Sequence, residues 1–450
     1  MKPSPIRIDY PDIRINNILK KFVTAAIKAA DPQEALRGTL IQKGNQLKAA
    51  DISYNLSRFG RIVCVGAGKA SGQMAVALEQ VLGEKLEGGI VIVKDGYEAP
   101  CKKVRILEAG HPVPDQRSIK ATKQILSLVH SLSQRDLLIV LLSGGASSLL
   151  CAPSAGLTLA GKQRTTQLLL RSGATIQEIN VVRKHLSAIK GGHLVQATPA
   201  NILTFIISDV LGDDLATIGS GPTVPDSSTF QDAADILKHY KIWTKVPTSI
   251  QRHFKKGLAN TVPDTLKPTR KRALRNRHII LANNHHAIAG VAREARQLKL
   301  KPFILPMPLQ GEAKEIGSIL GGLARDLVEF GNPVRPPACL IAGGEPTVTV
   351  KGKGKGGRAQ ECVLAAAQEL AGLQNVFVAG FGTDGTDGPT DVAGALVDGK
   401  TPERASKKGL DISRLLDNHD SYHFFKNVGG HIITGPTGTN VNDIYLIFAL

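Results

Sequence analysis

The sequence predicts two α/β domains, the first built on a parallel sheet with helices on both faces, and three observations predict it. Apolar, β-branched runs alternate with segments of helical periodicity; several runs end in glycine turns that open into a helix; and 450 residues exceed what one hydrophobic core usually supports. The expected division is a larger Rossmann-like domain over 1–257, a basic, proline-containing junction over 258–277, and a C-terminal α/β domain over 278–450. A cleft between two such domains is where a ligand is expected.

Along the chain, residues 12–50 read as helical, with Ile15, Ile18, Leu19, Phe22, Ala25, Ala26 and Ala29 at helix-like spacing. RIVCVGAGKASGQMAVALEQVL (61–82) is a strand, a glycine turn and a helix. GGIVIVKDG (88–96) and KVRILEAG (103–110) predict strands, and SIKATKQILSLVHSL (118–132) predicts a helix. DLLIVLLSGGASSLLCAPS (136–154) repeats the strand and glycine turn. Two helices are predicted between Thr158 and Ile189, broken near Ser172-Gly173 and stopped by Gly191-Gly192. NILTFIISDVLGDDLATIGSGPTVPD (201–226) is a buried strand opening into a polar loop, the position where open α/β sheets bind ligands. After the junction, the alternation restarts at 278–298, 338–350 and 375–398, and IITGPTGTNVNDIYLIF (432–448) is a loop leading to a final strand.

The net charge of +18 favours anionic partners, yet aromatic residues make up only 4% of the chain and no zinc-finger, homeodomain or RNP pattern occurs. Few stacking platforms make nucleic acid the minority reading. The five cysteines form no CxxC pair, which suits a reduced, cytoplasmic protein. No apolar run approaches the ~20 residues that span a bilayer, so no membrane association is expected. The oligomeric state is open, with a homodimer as one outcome.

The chemistry-bearing residues lie in the glycine turns. In VGAGKASG, Gly66, Gly68 and Ser71 permit close approach of an anion to backbone amides at a helix N-terminus, and Lys69 adds a mobile charge. The spacing is GxGxxxG, neither a Walker A loop nor a dinucleotide fingerprint. Ser143, Gly144, Gly145, Ser147 and Ser148 could wrap a phosphate or carboxylate with amides and hydroxyls, or simply allow tight strand–helix packing. Asp209, Asp213 and Asp214 follow a buried strand and could hold magnesium or accept a hydroxyl proton; as readily, each is a turn cap. Gly344 and Glu345 precede VTVKGKGKGGR, a basic loop ending at Arg358. A cation at the start of the helix AQECVLAAAQEL opposes the helix dipole, which makes sense if a ligand anion lies between them. Asp384, Thr386 and Asp387 in GTDGTDGPTD, and Asn440 in TGPTGTNVND, could bind metal or hydroxyls, or cap turns.

Taken together, VGAGKASG, HPVPD, SGGASS, VRKHLSAIKGG, SDVLGD with GSGPTVPD, GGEPTV with GGRAQE, GTDGTDGPTD and TGPTGTNVND resemble the glycerate 2-kinase family, whose C-terminal module is named MOFRL and would here cover about 337–448. The resemblance spans nearly the whole chain, with the motifs in the family's order. It implies ATP- and Mg2+-dependent phosphorylation of D-glycerate at C2 to give 2-phosphoglycerate. It implies Lys69 and Arg358 as charge-stabilising groups and Asp209 as a catalytic or metal-holding residue; Asp213 is read beside it as a metal ligand, and Lys190 of VRKHLSAIKGG among the binding residues. Two rivals remain: an NAD(P)-dependent hydroxypyruvate reductase, and a non-catalytic nucleotide- or nucleic-acid-binding protein.

Overall fold

The computed structural model describes residues 6–269 and 276–450, so the N-terminal MKPSP and residues 270–275 of the predicted basic junction lie outside the described residues. Numbered along the chain, the strands are β1 (Arg7–Asp9), β2 (Leu40–Lys43), β3 (Gln46–Ala49), β4 (Ile52–Asn55), β5 (Ile62–Ala67), β6 (Gly88–Lys94), β7 (Val104–Ala109), β8 (Leu137–Leu142), β9 (Asn201–Ile207), β10 (Arg277–Ala282), β11 (Lys301–Ile304), β12 (Ala338–Gly344), β13 (Val376–Gly382), β14 (Gly394–Asp398), β15 (His431–Ile433) and β16 (Asp443–Ala449).

The chain forms two compact units, one of Pro32–Leu281 and one in which the segment up to Asp31 joins Ala282–Leu450. This corrects the first predicted domain. The helix Ile13–Ala29 buries Ile15, Leu19, Phe22, Val23 and Ala26 as its periodicity predicts, but it does so in the second unit. There Phe22 meets Phe448 edge-on at 5.8 Å, and Gly290 lets a neighbouring helix approach Ala25 so closely that a Cβ would stand 2.6 Å from its carbonyl oxygen. Apolar spacing reveals a buried face without naming its partner. A second correction falls on residues 40–50. Beyond the short helix Pro32–Thr39 the pattern is two-residue alternation, with Leu40, Leu47 and Ala49 buried, and the chain folds into the antiparallel sheet β2-β3-β4.

The large sheet of the first unit has the order β10-β9-β8-β5-β6-β7. The pairs β5/β6, β6/β7, β5/β8 and β8/β9 are parallel. Every residue of β5 and β8 is buried, as expected of a parallel sheet covered on both faces. The chain runs β5, β6, β7 in one direction and returns to place β8 on the opposite side of β5. The order therefore reverses between β5 and β8, whose carboxyl ends carry VGAGKASG and SGGASS. The helices Leu159–Arg171, Ile176–His185, Phe230–His239 and Thr248–Leu258 share a separate core around Phe230, Phe254 and Leu237. The predicted break at Ser172-Gly173 is present, and a Thr175/Glu178 capping box starts the next helix.

The second unit holds a mixed sheet of order β1-β15-β14-β13-β16-β12-β11. β11 and β12 run parallel, while β16 pairs antiparallel with both β12 and β13. The register places Asp443, the first residue of β16, between Gly344 at the end of β12 and Gly382 at the end of β13. Three of the predicted loops thus meet one row of the sheet, two leaving it after Gly344 and Gly382 and one entering it at Asp443.

Candidate active site

In the first unit the two glycine turns at the switch point are hydrogen-bonded to each other. The Lys69 amide donates to Gly144 O at 2.8 Å, and the Ser143 amide to Ala67 O at 3.1 Å. Ser143 Oγ accepts from the Ala70 amide at 2.9 Å and lies 3.0 Å from Ser71 Oγ. Gly68 has φ 137°, and a Cβ on it would overlap the Ser143 side chain. Its own amide donates to Ile92 O at 3.1 Å. The expected anion cradle of VGAGKASG is therefore corrected in part: the amides of Gly68, Lys69 and Ala70 are spent on the fold. Among the described residues, the amides of Gly144 and Gly145 meet no acceptor. Gly145 is left-handed at φ 89°, so the nest of donors lies in SGGASS. Lys69 and His111 of HPVPD flank it: a Cβ on Gly145 would lie 3.8 Å from Lys69 Cγ and 2.9 Å from His111 Cδ2.

One turn further on, Ser147 Oγ lies 2.5 Å from Ser220 Oγ, and the Lys190 ammonium donates to Ser147 O at 2.7 Å and Gly219 O at 3.2 Å. The structure therefore gathers Lys69, Ser71, Ser143, Gly144, Gly145, Ser147 and Lys190. Ser148 turns back onto its own helix, donating to Gly145 O at 3.0 Å.

In the second unit, Arg358 is held by two carboxylates. Its Nε meets Asp443 Oδ2 at 2.6 Å, its Nη2 meets Asp443 Oδ1 at 3.1 Å, and its Nη1 meets Glu345 Oε1 at 2.7 Å. The helix that Arg358 opens is capped from a distant loop: Asp387 accepts from the amides of Ala359 and Gln360 at 3.0 and 2.8 Å, and from Gln360 Nε2 at 2.9 Å. The anion expected between Arg358 and its helix is thus protein carboxylate. Asp387, predicted to bind ligand, is 3% exposed and committed to that cap. Burial pushes its carboxyl up to about 6, with the Asp443 charge adding to the effect. Asp384 accepts from the amide and hydroxyl of Thr386, both at 3.0 Å, in a local turn. The loop bearing Asn440 is joined to it through Thr437 Oγ1, which donates to Thr383 O at 2.6 Å. The lysine-rich loop is fastened as well: Lys353 and Lys355 amides donate to Asn418 and Asp420 side chains, and the Lys355 ammonium lies 4.3 Å above the Tyr422 ring.

Comparison with known proteins decides what this arrangement belongs to. The family described as Domain of unknown function (DUF4147) matches residues 18–255, and the MOFRL family matches residues 338–443. The glycerate 2-kinase of Pyrococcus horikoshii is 43% identical over 96% of this chain and 97% of its own. The crystal structure of glycerate kinase from Thermotoga maritima superposes with a TM-score of 0.85 at 38% identity, covering 98% of this chain and 100% of that one.

The chain belongs to the glycerate 2-kinase family.

One relative, from Agrobacterium vitis, bears a provisional hydroxypyruvate reductase name at 41% identity over 98% of this chain and 96% of its own. Within a glycerate 2-kinase scaffold, the turn after β9 can now be sorted. Asp214 caps its own turn through the Ala216 amide at 3.1 Å and Thr217 Oγ1 at 2.5 Å, while Asp213 adopts φ 56° in that turn. Asp209 and Asp213 are the other two carboxylates of SDVLGDD. They offer hard oxygen ligands in the number Mg2+ usually takes from protein, although no cluster of three metal-ligating side chains occurs among the described residues. The residue that sequence reasoning missed is Asp443. It was visible only as the end of TGTNVND, and its role depends on a register across three strands.

Proposed function

We propose that this protein transfers the γ-phosphoryl group of ATP to the C2 hydroxyl of D-glycerate, giving 2-phosphoglycerate and ADP. The observation that carries the reading is the pair of interlocked glycine turns with Lys69 at the β5/β8 switch point, in a chain related along nearly its whole length to glycerate 2-kinases. Phosphoryl transfer depends on positioning and on neutralising spread negative charge. Lys69 and the Gly144 and Gly145 amides supply positive potential at one place. Arg358 supplies a fixed cation at another, its orientation set by Asp443. Asp209 receives the hydroxyl proton or, with Asp213, holds Mg2+. When bound, that ion would neutralise phosphate charge. The five cysteines are free thiols, and among the described residues no helix is long and apolar enough to cross a membrane; both support a cytoplasmic location.

One observation weighs against nicotinamide chemistry. A dinucleotide fold places a ribose-binding acid at the end of its second strand. Here β6 ends on Lys94, and the following Asp95 is held by both Nη atoms of Arg117 at 2.6 and 2.8 Å. Parallel assays separate the two readings. ADP release should depend on D-glycerate, and hydroxypyruvate should leave NADH and NADPH absorbance unchanged; the opposite pattern would establish the reductase.

A further inference from the structure

The first unit buries three cations that the motifs above leave without a role as a group, two of which, Arg183 and Lys190, reach the Ser147 carbonyl. Lys162 comes from the helix Leu159–Arg171, Arg183 from the helix Ile176–His185, and Lys190 from the turn before Gly191. Lys162 is 6% exposed, and its buried Nζ has no hydrogen-bond partner. Lys190 is 1% exposed and bonds only to the neutral carbonyls of Ser147 and Gly219. Arg183 reaches Ser147 O at 3.4 Å and Asn180 Oδ1 at 3.5 Å. Among the described residues, no Asp or Glu forms an ion pair with any of the three. The neighbouring Lys184 shows the contrast, since it meets Asp226 at 3.3 Å.

The three feel one another. Burial lowers Lys162 to about 8, and the positive charge of Arg183 adds to the shift. Lys190 is driven well below the usual lysine range by burial, with Arg183, Lys162 and Lys184 contributing. A buried cation without a counterion costs several kcal/mol. Three together make a place whose counterion arrives from outside.

We propose that Lys162, Arg183 and Lys190 form the pocket that takes the carboxylate of the hydroxy-acid substrate. The polar atoms around them choose between a carboxylate bearing hydroxyls and a polyphosphate. Ser147 O, Gly219 O and Asn180 Oδ1 are acceptors, and Ser220 Oγ lies 3.3 Å from that Asn180 oxygen. Substrate hydroxyls can donate to such atoms, whereas a triphosphate has only acceptors to offer. The pocket also lies two residues beyond Gly145, where Lys69 flanks the donor nest. A 2-hydroxy acid carries its accepting oxygen one carbon from its carboxylate, so a carboxylate anchored beside Ser147 keeps that oxygen near the turn that Lys69 flanks. This assignment rests on the kinase reading.

The test is the variant Lys162→Met, with Lys162→Arg as the charge-preserving control. KM for D-glycerate should rise about 30-fold or more in Lys162→Met, KM for ATP should stay within about twofold, and Lys162→Arg should recover part of the loss. The ligand-free Lys162→Met protein should melt at the same or a higher temperature, because an unpaired buried charge has gone. A rise in KM for ATP instead, or no change in either constant, overturns the proposal. So does a lowered melting temperature that accompanies equal losses for both substrates. If the wild type fails to phosphorylate D-glycerate, the kinase reading falls, and the pocket is judged by thermal shift with D-lactate and neutral lactamide. Stabilisation of wild type by lactate alone, absent in Lys162→Met, upholds the carboxylate pocket; equal responses overturn it.

Discussion

Asp443 grips Arg358 at two points, Oδ2 to Nε at 2.6 Å and Oδ1 to Nη2 at 3.1 Å, leaving Nη1 to Glu345. Asp443 is 3% exposed, and its carboxyl is raised by burial against the opposing pull of Arg358. A two-point grip fixes the plane of a guanidinium as well as its position. Asp443→Asn should therefore lower turnover by releasing Arg358, and destabilise the protein by roughly 2 kcal/mol, less than for a fully buried pair because the Arg358 side chain is about a third exposed. Arg358→Ala should abolish most turnover with the fold retained. Stability and kcat measured on the two single variants and the double variant check this: the double should lose much less than the sum.

Lys69 has its amide tied to Gly144 O, so its backbone belongs to the fold, and the proposed role in phosphoryl transfer falls to its side chain. Lys69→Ala should reduce kcat by about 100-fold or more, the scale of removing one preorganised charge-stabilising group. The unfolding midpoint should barely change. Near-normal turnover would remove Lys69 from the site.

Ser143 is the fastener between the turns. Ser143→Ala leaves the Ala70 amide without its acceptor at 2.9 Å, and that amide is buried, so a loss of roughly 1–3 kcal/mol in denaturant unfolding is expected. Gly68→Ala, which drives a Cβ into the same side chain at φ 137°, should be worse.

These contacts mark where the sequence was legible. Strand, turn and helix at VGAGKASG, the repeat of the pattern at SGGASS, and the Asp loop after β9 could be read locally because glycine placement and apolar runs are local signals. What the amides of VGAGKASG bond to was not readable, since Ile92, Gly144 and Ser143 come from other strands. The same limit hid the allegiance of the helix Ile13–Ala29, whose buried face is plain in sequence but whose partner Phe448 lies over 400 residues away. Asp387 was read as a ligand-binding or turn residue because nothing nearby shows that it caps a helix beginning at Arg358. Lys162 and Arg183 sit among ordinary helical polar residues, and only burial distinguishes them.

Asp387 gives the protein a pH signature. Its pKa in the fold, raised to about 6 from an ordinary 3.8, means that the native state holds a proton the unfolded chain releases. Its contribution to stability is complete below about pH 4 and is lost as pH rises through 6. The loss is on the order of 2–3 kcal/mol. Denaturant unfolding of wild type and Asp387→Asn between pH 4 and 7 tests this. The stability difference between them should move against wild type as pH rises, and a difference constant with pH would refute it.

The kinase reading stands or falls on its product. Incubated with ATP, Mg2+ and D-glycerate, the protein should yield ADP and a single new phosphomonoester, identified by phosphorus NMR as 2-phosphoglycerate through coupling of the phosphorus to the C2 proton. No phosphorylated glycerate, or phosphorus coupled instead to the C3 protons, would contradict it.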